Sequence, residues 1–145
     1  MNNIKNLIDD KGVKPTYHRI KILEFLQNNK NHPTADKIYE EIVKYIPTIS
    51  KTTVYNTLKI FVEKEIIEEL TITGNETHYE LTEDTGPHHH FYCTQCKTIF
   101  DIEAECNQEC SKKNDIDGNK VQSYQCYYKG ICCNCLRKNN NEMNN

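Results

Sequence analysis

His88-His89-His90-Phe91-Tyr92-Cys93-Thr94-Gln95-Cys96 brings three imidazoles and a Cys-x-x-Cys pair into nine consecutive residues. Two kinds of metal ligand therefore stand side by side. A Cys-x-x-Cys turn presents two sulfurs to one side of a metal, and Cys132-x-x-Cys135 repeats it after 35 intervening residues. Two such turns complete a tetrahedral thiolate cage with no open position. That is the arrangement of structural zinc, whose binding energy adds directly to folding energy. Disulfides or a thiolate-bound iron are the alternatives for the same four side chains. The long separation predicts a cage that staples a strand pair to the far end of the chain.

The bulk composition makes such a staple useful. The chain has 145 residues, 37% of them hydrophobic, with no Trp and eight Cys. Small domains of this kind often depend on metal, disulfides or oligomerisation. The start Met1-Asn2-Asn3-Ile4-Lys5-Asn6 has no apolar signal core, and no long apolar run predicts a membrane span. A reducing, cytoplasmic setting follows as the expectation, and there paired cysteines read as metal ligands.

The net charge of −3 conceals a gradient. Residues 1–62 carry ten Lys/Arg against six Asp/Glu, whereas residues 63–84 carry one Lys against eight acids. A basic front is compatible with phosphate contact.

Four helices are predicted in that front. Ile4, Leu7 and Ile8 mark the first, over 3–10, ended by Gly12. Thr16 caps the second, with Ile20, Leu23, Phe25 and Leu26 inward. Thr34 caps the third, Asp36 favours its positive end, and Ile38, Ile42 and Tyr45 form its stripe up to Pro47. Ser50 caps the fourth, which buries Val54, Leu58, Phe61 and Val62. Its other face shows Lys51, Thr52, Tyr55, Asn56 and Lys59. On an isolated helix that face is ordinary solvated surface; after a short turn it has the make-up of a recognition helix in a major groove.

Strands at 66–72 and 77–81, joined by Thr73-Gly74-Asn75, then form a wing. Its acids predict little phosphate binding. Glu83 to Pro87 reads as a linker. The expected organisation is α+β: a winged-helix (helix-turn-helix) DNA-binding domain over 1–83, a hinge at 84–87, and a small α/β dimerisation and metal-binding domain over 88–138. A disordered Asn-rich tail is expected over 139–145. Within the second domain, strands are predicted at 88–92, 98–101 and 120–128, a short helix near 103–113, and a turn at Asp117-Gly118-Asn119. Cys106, Cys110, Cys126 and Cys133 read as small, half-buried apolar residues.

On a strand, His88 and His90 share one face and His89 takes the other. Two imidazoles at i, i+2 make half a metal site, which carboxylates complete. Glu80 and Asp101 end neighbouring strands, and His32 opens the third helix. The bland alternative is a solvated histidine-rich linker.

His32-Pro33-Thr34-Ala35-Asp36-Lys37-Ile38-Tyr39, Ser50 with Thr53-Val54-Tyr55-Asn56-Thr57-Leu58, the His88–Cys96 stretch and Gly130-Ile131-Cys132-x-x-Cys135 resemble the ferric uptake regulator family. The resemblance is colinear from about Ile4 to Lys138. It implies a homodimeric repressor of AT-rich inverted repeats, with four-cysteine Zn2+ and a regulatory Fe2+ or Mn2+ held by His32, Glu80, His88, His90 and Asp101. It also implies DNA contacts from Tyr55, Lys14 and Arg19. Asp101 and the His-Pro-Thr-Ala-Asp wording are similar to the family's peroxide-responsive branch, in which His32 and His88 match the oxidised ligands. Glu80 is similar to the iron-uptake branch. Pro87 and Ser123-Tyr124 depart from the family's additional histidine-rich site, and Tyr17-His18 from its usual residues before Arg19.

Two other classes compete with a peroxide-sensing repressor and its iron- or zinc-responsive relatives. A zinc hydrolase using Glu80 as base lacks an HExxH-like helix and leaves the basic helices without a task. A purely structural zinc module leaves the histidines unexplained. The expectation is a regulator and not an enzyme, with DNA, metal and peroxide as its partners.

Overall fold

The computed structural model describes residues 2–72, 76–82, 89–103, 113–122 and 124–145. They form two compact units, Met1–Glu83 and Asp84–Asn145. None of their helices is long and apolar enough to cross a membrane.

The first unit contains α1 (Asn2–Asp10), α2 (Tyr17–Asn28), α3 (Ala35–Ile42) and α4 (Lys51–Glu63), followed by β1 (Ile67–Leu70) and β2 (His78–Leu81). Local chemistry sets the helix starts. The Thr34 hydroxyl accepts from the Lys37 N–H, and the Ser50 hydroxyl accepts from the Thr53 N–H at 3.1 Å. Each such cap contributes about 1 kcal/mol. Gly12, at φ +71°, turns the chain out of α1. The apolar stripes then meet in one core that includes Ile8, Ile22, Leu23, Ile38, Ile42, Val54, Leu58 and Phe61. β1 and β2 pair antiparallel, with Ile67 opposite Leu81 and Glu68 opposite Glu80. This hairpin follows α4 directly, so the unit is a winged helix.

The second unit begins with β3 (His89–Cys93) and β4 (Ile99–Ile102), continues through the short hairpin β5 (Asp115–Ile116) and β6 (Asn119–Lys120), and ends with β7 (Tyr127–Gly130) and α5 (Cys133–Met143). β3 is the centre of a three-stranded sheet ordered β4-β3-β7, antiparallel to β4 and parallel to β7. Its buried cluster is Cys93, Cys132 and Cys135, with Phe91 and Phe100 packed against it. Among the described residues, the first unit's core is aliphatic, whereas the second unit's buried cluster is built on sulfur, with Tyr92 and Ile99 also buried.

Several expectations need correction. Thr16 stands at the N-cap of α2 but makes no capping bond; its hydroxyl lies 3.3 Å from the His18 ring. On α2, Ile20 and Phe25 pack half-buried against the core as expected, but Ile22, not singled out, is fully buried with Leu23. Tyr45 is 63% exposed, because α3 closes at Ile42 and the chain turns before Pro47. The strand expected over 120–128 is two short pieces, β6 and β7, with Asp117 and Gly118 both at positive φ in the turn before β6. Residues 139–143 are helical, not disordered. Their helix starts at the Cys132 turn and is tied back to the first knuckle by two hydrogen bonds between the Gln95 and Asn139 amides, at 3.1 and 3.2 Å. The 73–75 turn, the 84–87 hinge and most of the helix expected near 103–113 lie outside the described residues.

Phe61 is a fully buried side chain at the centre of the first core. Phe61→Ala is expected to cost about 3–5 kcal/mol, measured as a fall in the urea-unfolding midpoint of the helical circular-dichroism signal. The zinc content of the purified protein is expected to stay unchanged.

Candidate metal centres and nucleic-acid interface

Cys93, Cys96, Cys132 and Cys135 converge, with their sulfurs all within 4.8 Å of one another. Cys93 Sγ lies 3.9 Å from Cys135 Sγ, and Cys96 Sγ lies 3.8 Å from Cys132 Sγ. These distances rule out disulfides, whose sulfurs are about 2 Å apart. They match the edge of a tetrahedron with about 2.3 Å from metal to sulfur, which is about 3.8 Å. The donor set and its spacing fit zinc.

The strands explain the convergence. Cys93 ends β3 opposite Gly130 of β7, and the Thr94 N–H donates to the Gly130 carbonyl at 2.8 Å. This parallel pairing places the Cys132 turn beside the Cys93 turn. Gly130 suits the contact, since an added Cβ would stand 3.2 Å from the Phe91 ring.

The backbone also prepares the sulfurs for ionisation. Burial raises the Cys93 thiol, but backbone N–H groups of Cys132, Cys96 and Gln95 outweigh it and bring the value down to about 6. Cys135 moves the other way, pushed up to about 12 by burial and by hydrogen bonding among the neighbouring thiols. Four thiolates at this spacing need a cation between them.

The candidate regulatory ligands form one pair in each unit. In the first, His32 Nε2 lies 2.9 Å from Glu80 Oε2, and both side chains are largely buried. Glu80 faces Glu68 across the hairpin, a like-charge pairing that a neighbouring positive group relieves. In the second, His90 and Asp101 are register partners on β3 and β4, with Nε2 3.3 Å from Oδ1. Neighbouring ligands on an octahedral ion at about 2.1 Å stand about 3 Å apart, so each pair fits two adjacent positions of such an ion. His88 lies outside the described residues. His89, expected to face away, is buried as deeply as His90, and its Nδ1 has no hydrogen-bond partner among the described residues.

His32 is also strained. Its φ of +50° is left-handed, although it precedes Pro33, a setting that ordinarily favours extended backbone. Such a conformation costs about 1–2 kcal/mol outside glycine. β2 holds it there: His78 Nδ1 lies 2.6 Å from the His32 carbonyl, and the Tyr79 N–H donates to the Pro33 carbonyl at 3.0 Å. His78 belongs to no sequence motif. Its only signal is the i, i+2 spacing to Glu80, which puts both on one face of β2.

On α4, Lys51, Thr52, Tyr55, Asn56 and Lys59 are all exposed. Tyr55 donates to Asp36 at 3.1 Å, and Lys51 Nζ lies 3.2 Å from the same carboxylate. Those hydrogen bonds, Lys51 first and Tyr55 second, hold the Asp36 carboxyl below its ordinary value. Asp36 thus couples α3 to the exposed face of α4, a role not evident from its position in a helix's first turn. Arg19 donates to the Lys14 carbonyl at 2.8 Å, joining the two basic residues of the N-terminal segment.

A winged helix joined to clustered metal ligands defines a metal-dependent transcriptional regulator. Residues 10–128 match the model of the ferric uptake regulator family. The peroxide operon regulator of Bacillus subtilis is 33% identical over 134 residues, covering 92% of this chain and 91% of that protein. The peroxide-responsive repressor PerR of Staphylococcus aureus is 32% identical over 131 residues, 88% and 85% of the two chains. Among solved structures, the ferric uptake regulator of Vibrio cholerae gives a TM-score of 0.70 at 25% identity, covering 88% of this chain and 98% of that one. PerR from Streptococcus pyogenes, a structure concerned with peroxide sensing and gene regulation, gives 0.51 at 29% identity, with 92% and 90% covered. The chain belongs to the ferric uptake regulator family.

The thiol values give the four-cysteine site a signed pH dependence. Zinc needs thiolates, so protons compete increasingly as pH falls through about 6, where Cys93 protonates. Above that value Cys135 is still a thiol and must lose its proton to the metal. Zinc uptake at about pH 7.5 is therefore expected to acidify a weakly buffered sample, read with an indicator dye. Retention in a chelator competition is expected to fall steeply below about pH 6. A pH-independent retention would contradict the assignment of these sulfurs as ligands.

Proposed function

We propose that this protein is a homodimeric repressor that binds AT-rich inverted repeats in the cytoplasm and senses peroxide through a regulatory Fe2+ site. The observation that carries the reading is the His32–Glu80 pair on the winged helix, matched by the His90–Asp101 pair on the second unit. In this proposal His32, Glu80, His88, His90 and Asp101 are the ligands of the regulatory ion. Cys93, Cys96, Cys132 and Cys135 hold a separate structural Zn2+.

The ligand types favour this division. Nitrogen and oxygen donors without sulfur suit Fe2+ or Mn2+, whereas four thiolates suit zinc. Bound Fe2+ supplies the electrons that reduce peroxide beside the ligand imidazoles, and Mn2+ does not. His32 and His88 are the side chains proposed to gain oxygen. A ring altered at His32 loses its fit to Glu80, so the site weakens and the DNA complex with it. Both PerR relatives belong to the peroxide-responsive branch, and Asp101 agrees with that branch. Glu80 favours the second reading, an iron- or zinc-responsive uptake regulator with the same architecture.

On DNA, Tyr55, Thr52 and Asn56 are proposed to face base edges, with Lys51, Lys59, Lys14 and Arg19 near phosphates. The exposed Glu68 and Glu69 of the wing suit a hairpin that stays off the backbone.

The test uses zinc-loaded protein with Fe2+ or Mn2+ added without oxygen, an AT-rich palindrome, and then peroxide. Fe2+ protein is expected to release DNA and to gain one oxygen on the His32 or His88 peptide by mass spectrometry. Mn2+ protein is expected to do neither. DNA binding that depends on metal but survives peroxide would leave the uptake-regulator reading. Separately, Tyr55→Ala is expected to weaken operator binding by about tenfold, in the range of one lost base contact, in a gel-shift titration at fixed salt.

A further inference from the structure

The His32 loop is held in a conformation its own sequence disfavours, and a neighbouring side chain, His78, holds its carbonyl. We propose that His78 is a positioning residue for the regulatory metal, keeping the His32 imidazole aimed at Glu80. The inference rests on the regulatory-site reading given above and goes beyond the five ligands that reading names.

The contacts that hold the segment lie within the first unit. A carbonyl oxygen accepts only, so at 2.6 Å from the His32 carbonyl the His78 Nδ1 must carry the hydrogen. One residue on, the Tyr79 N–H donates to the Pro33 carbonyl, and Thr34 bridges to His78. Two residues on, Glu80 reaches His32 Nε2 at 2.9 Å. Three consecutive residues of β2 therefore grip the His32-Pro33-Thr34 segment at its backbone and at its ring. The backbone bonds from Tyr79 and Thr34 hold Pro33 and Thr34. His78 holds the carbonyl of His32 itself.

That carbonyl matters because a positive φ decides where the His32 Cβ points. Released from His78, the residue before Pro33 is free to relax toward extended backbone. The ring would then swing off Glu80, and two ligands would no longer present a common face to an ion. His78 is no ligand in this scheme. Its ring is largely buried, with 12% of the side chain exposed, and its Nε2 lies 3.8 Å from the exposed Glu76 carboxylate. Groups that orient metal ligands typically change affinity by about 10–100-fold when removed.

The decisive comparison uses H78N, whose amide N–H can replace the Nδ1 donor, and H78L, which has no donor. H32A serves as the reference for loss of the site. Mn2+ is titrated calorimetrically into the zinc-loaded full chain, and hydrogen exchange is followed in the same proteins before Mn2+ is added. The expected result is loss of the Mn2+ site in H32A, about tenfold weaker binding in H78L, and H78N within about threefold of the unsubstituted protein. In H78L, before Mn2+ addition, the Tyr79 amide is expected to exchange faster while the α4 amides keep their protection. H78L binding Mn2+ normally while H32A fails would overturn the role of His78 and leave the regulatory site standing. Normal Mn2+ binding by H32A would overturn the regulatory-site reading and this inference with it. Equal losses in H78N and H78L, with faster exchange along α4, would mark a general loss of stability and likewise overturn the positioning role.

Discussion

Four thiols packed within 4.8 Å of one another cannot all ionise unless a cation stands among them, and the second unit is organised around that constraint. Its buried cluster consists of three of those cysteines backed by Phe91 and Phe100. There is little aliphatic surface to substitute for the metal. The sheet and α5 are arranged to satisfy the sulfurs: β3 carries one knuckle, the parallel partner β7 delivers the other, and α5 starts inside it. Backbone N–H groups aimed at Cys93 supply part of the electrostatic compensation before any ion arrives. The division of the values, about 6 for Cys93 and about 12 for Cys135, shows how unequal the four positions are without that ion.

The first unit solves the same problem by other means. Its core is built from Ile, Leu, Val and Phe on four helices, two of them with side-chain caps, and its polar features lie at the margins. Those margins carry the residues proposed to act. Asp36 gathers Tyr55 and Lys51 at the exposed face of α4, and β2 clamps the strained His32 segment. The aliphatic core and the proposed site residues are thus kept apart in this unit, whereas in the second unit the strand that carries Cys93 also carries His90.

Much of this was legible because the signals were local. Thr34 and Ser50 precede apolar repeats at helical spacing, and each caps its helix. The Cys-x-x-Cys pairs brought the four sulfurs to notice without any knowledge of strand order. What escaped was set by contacts distant in sequence. The Asn-rich end looked too polar to order, but its helix is anchored at Cys135 and at the Gln95–Asn139 amides. Tyr45 looked like a continuation of the α3 stripe, but α3 is only eight residues long. His78 carried no motif at all. Its importance depends on the His32 carbonyl, 46 residues away, and no spacing rule reaches that far.

The parallel pairing of β3 with β7 has a consequence in time. Cys93 and Cys135 are 42 residues apart, and the sheet cannot be completed until β7, Tyr127–Gly130, exists. The winged helix, by contrast, has every core residue in place by Leu81. During synthesis the first unit can therefore close before the second. A chain cut between Gly130 and Cys132 would keep every residue of the first core and lose half of the sulfur cage, so zinc retention reports on the presence of the second knuckle.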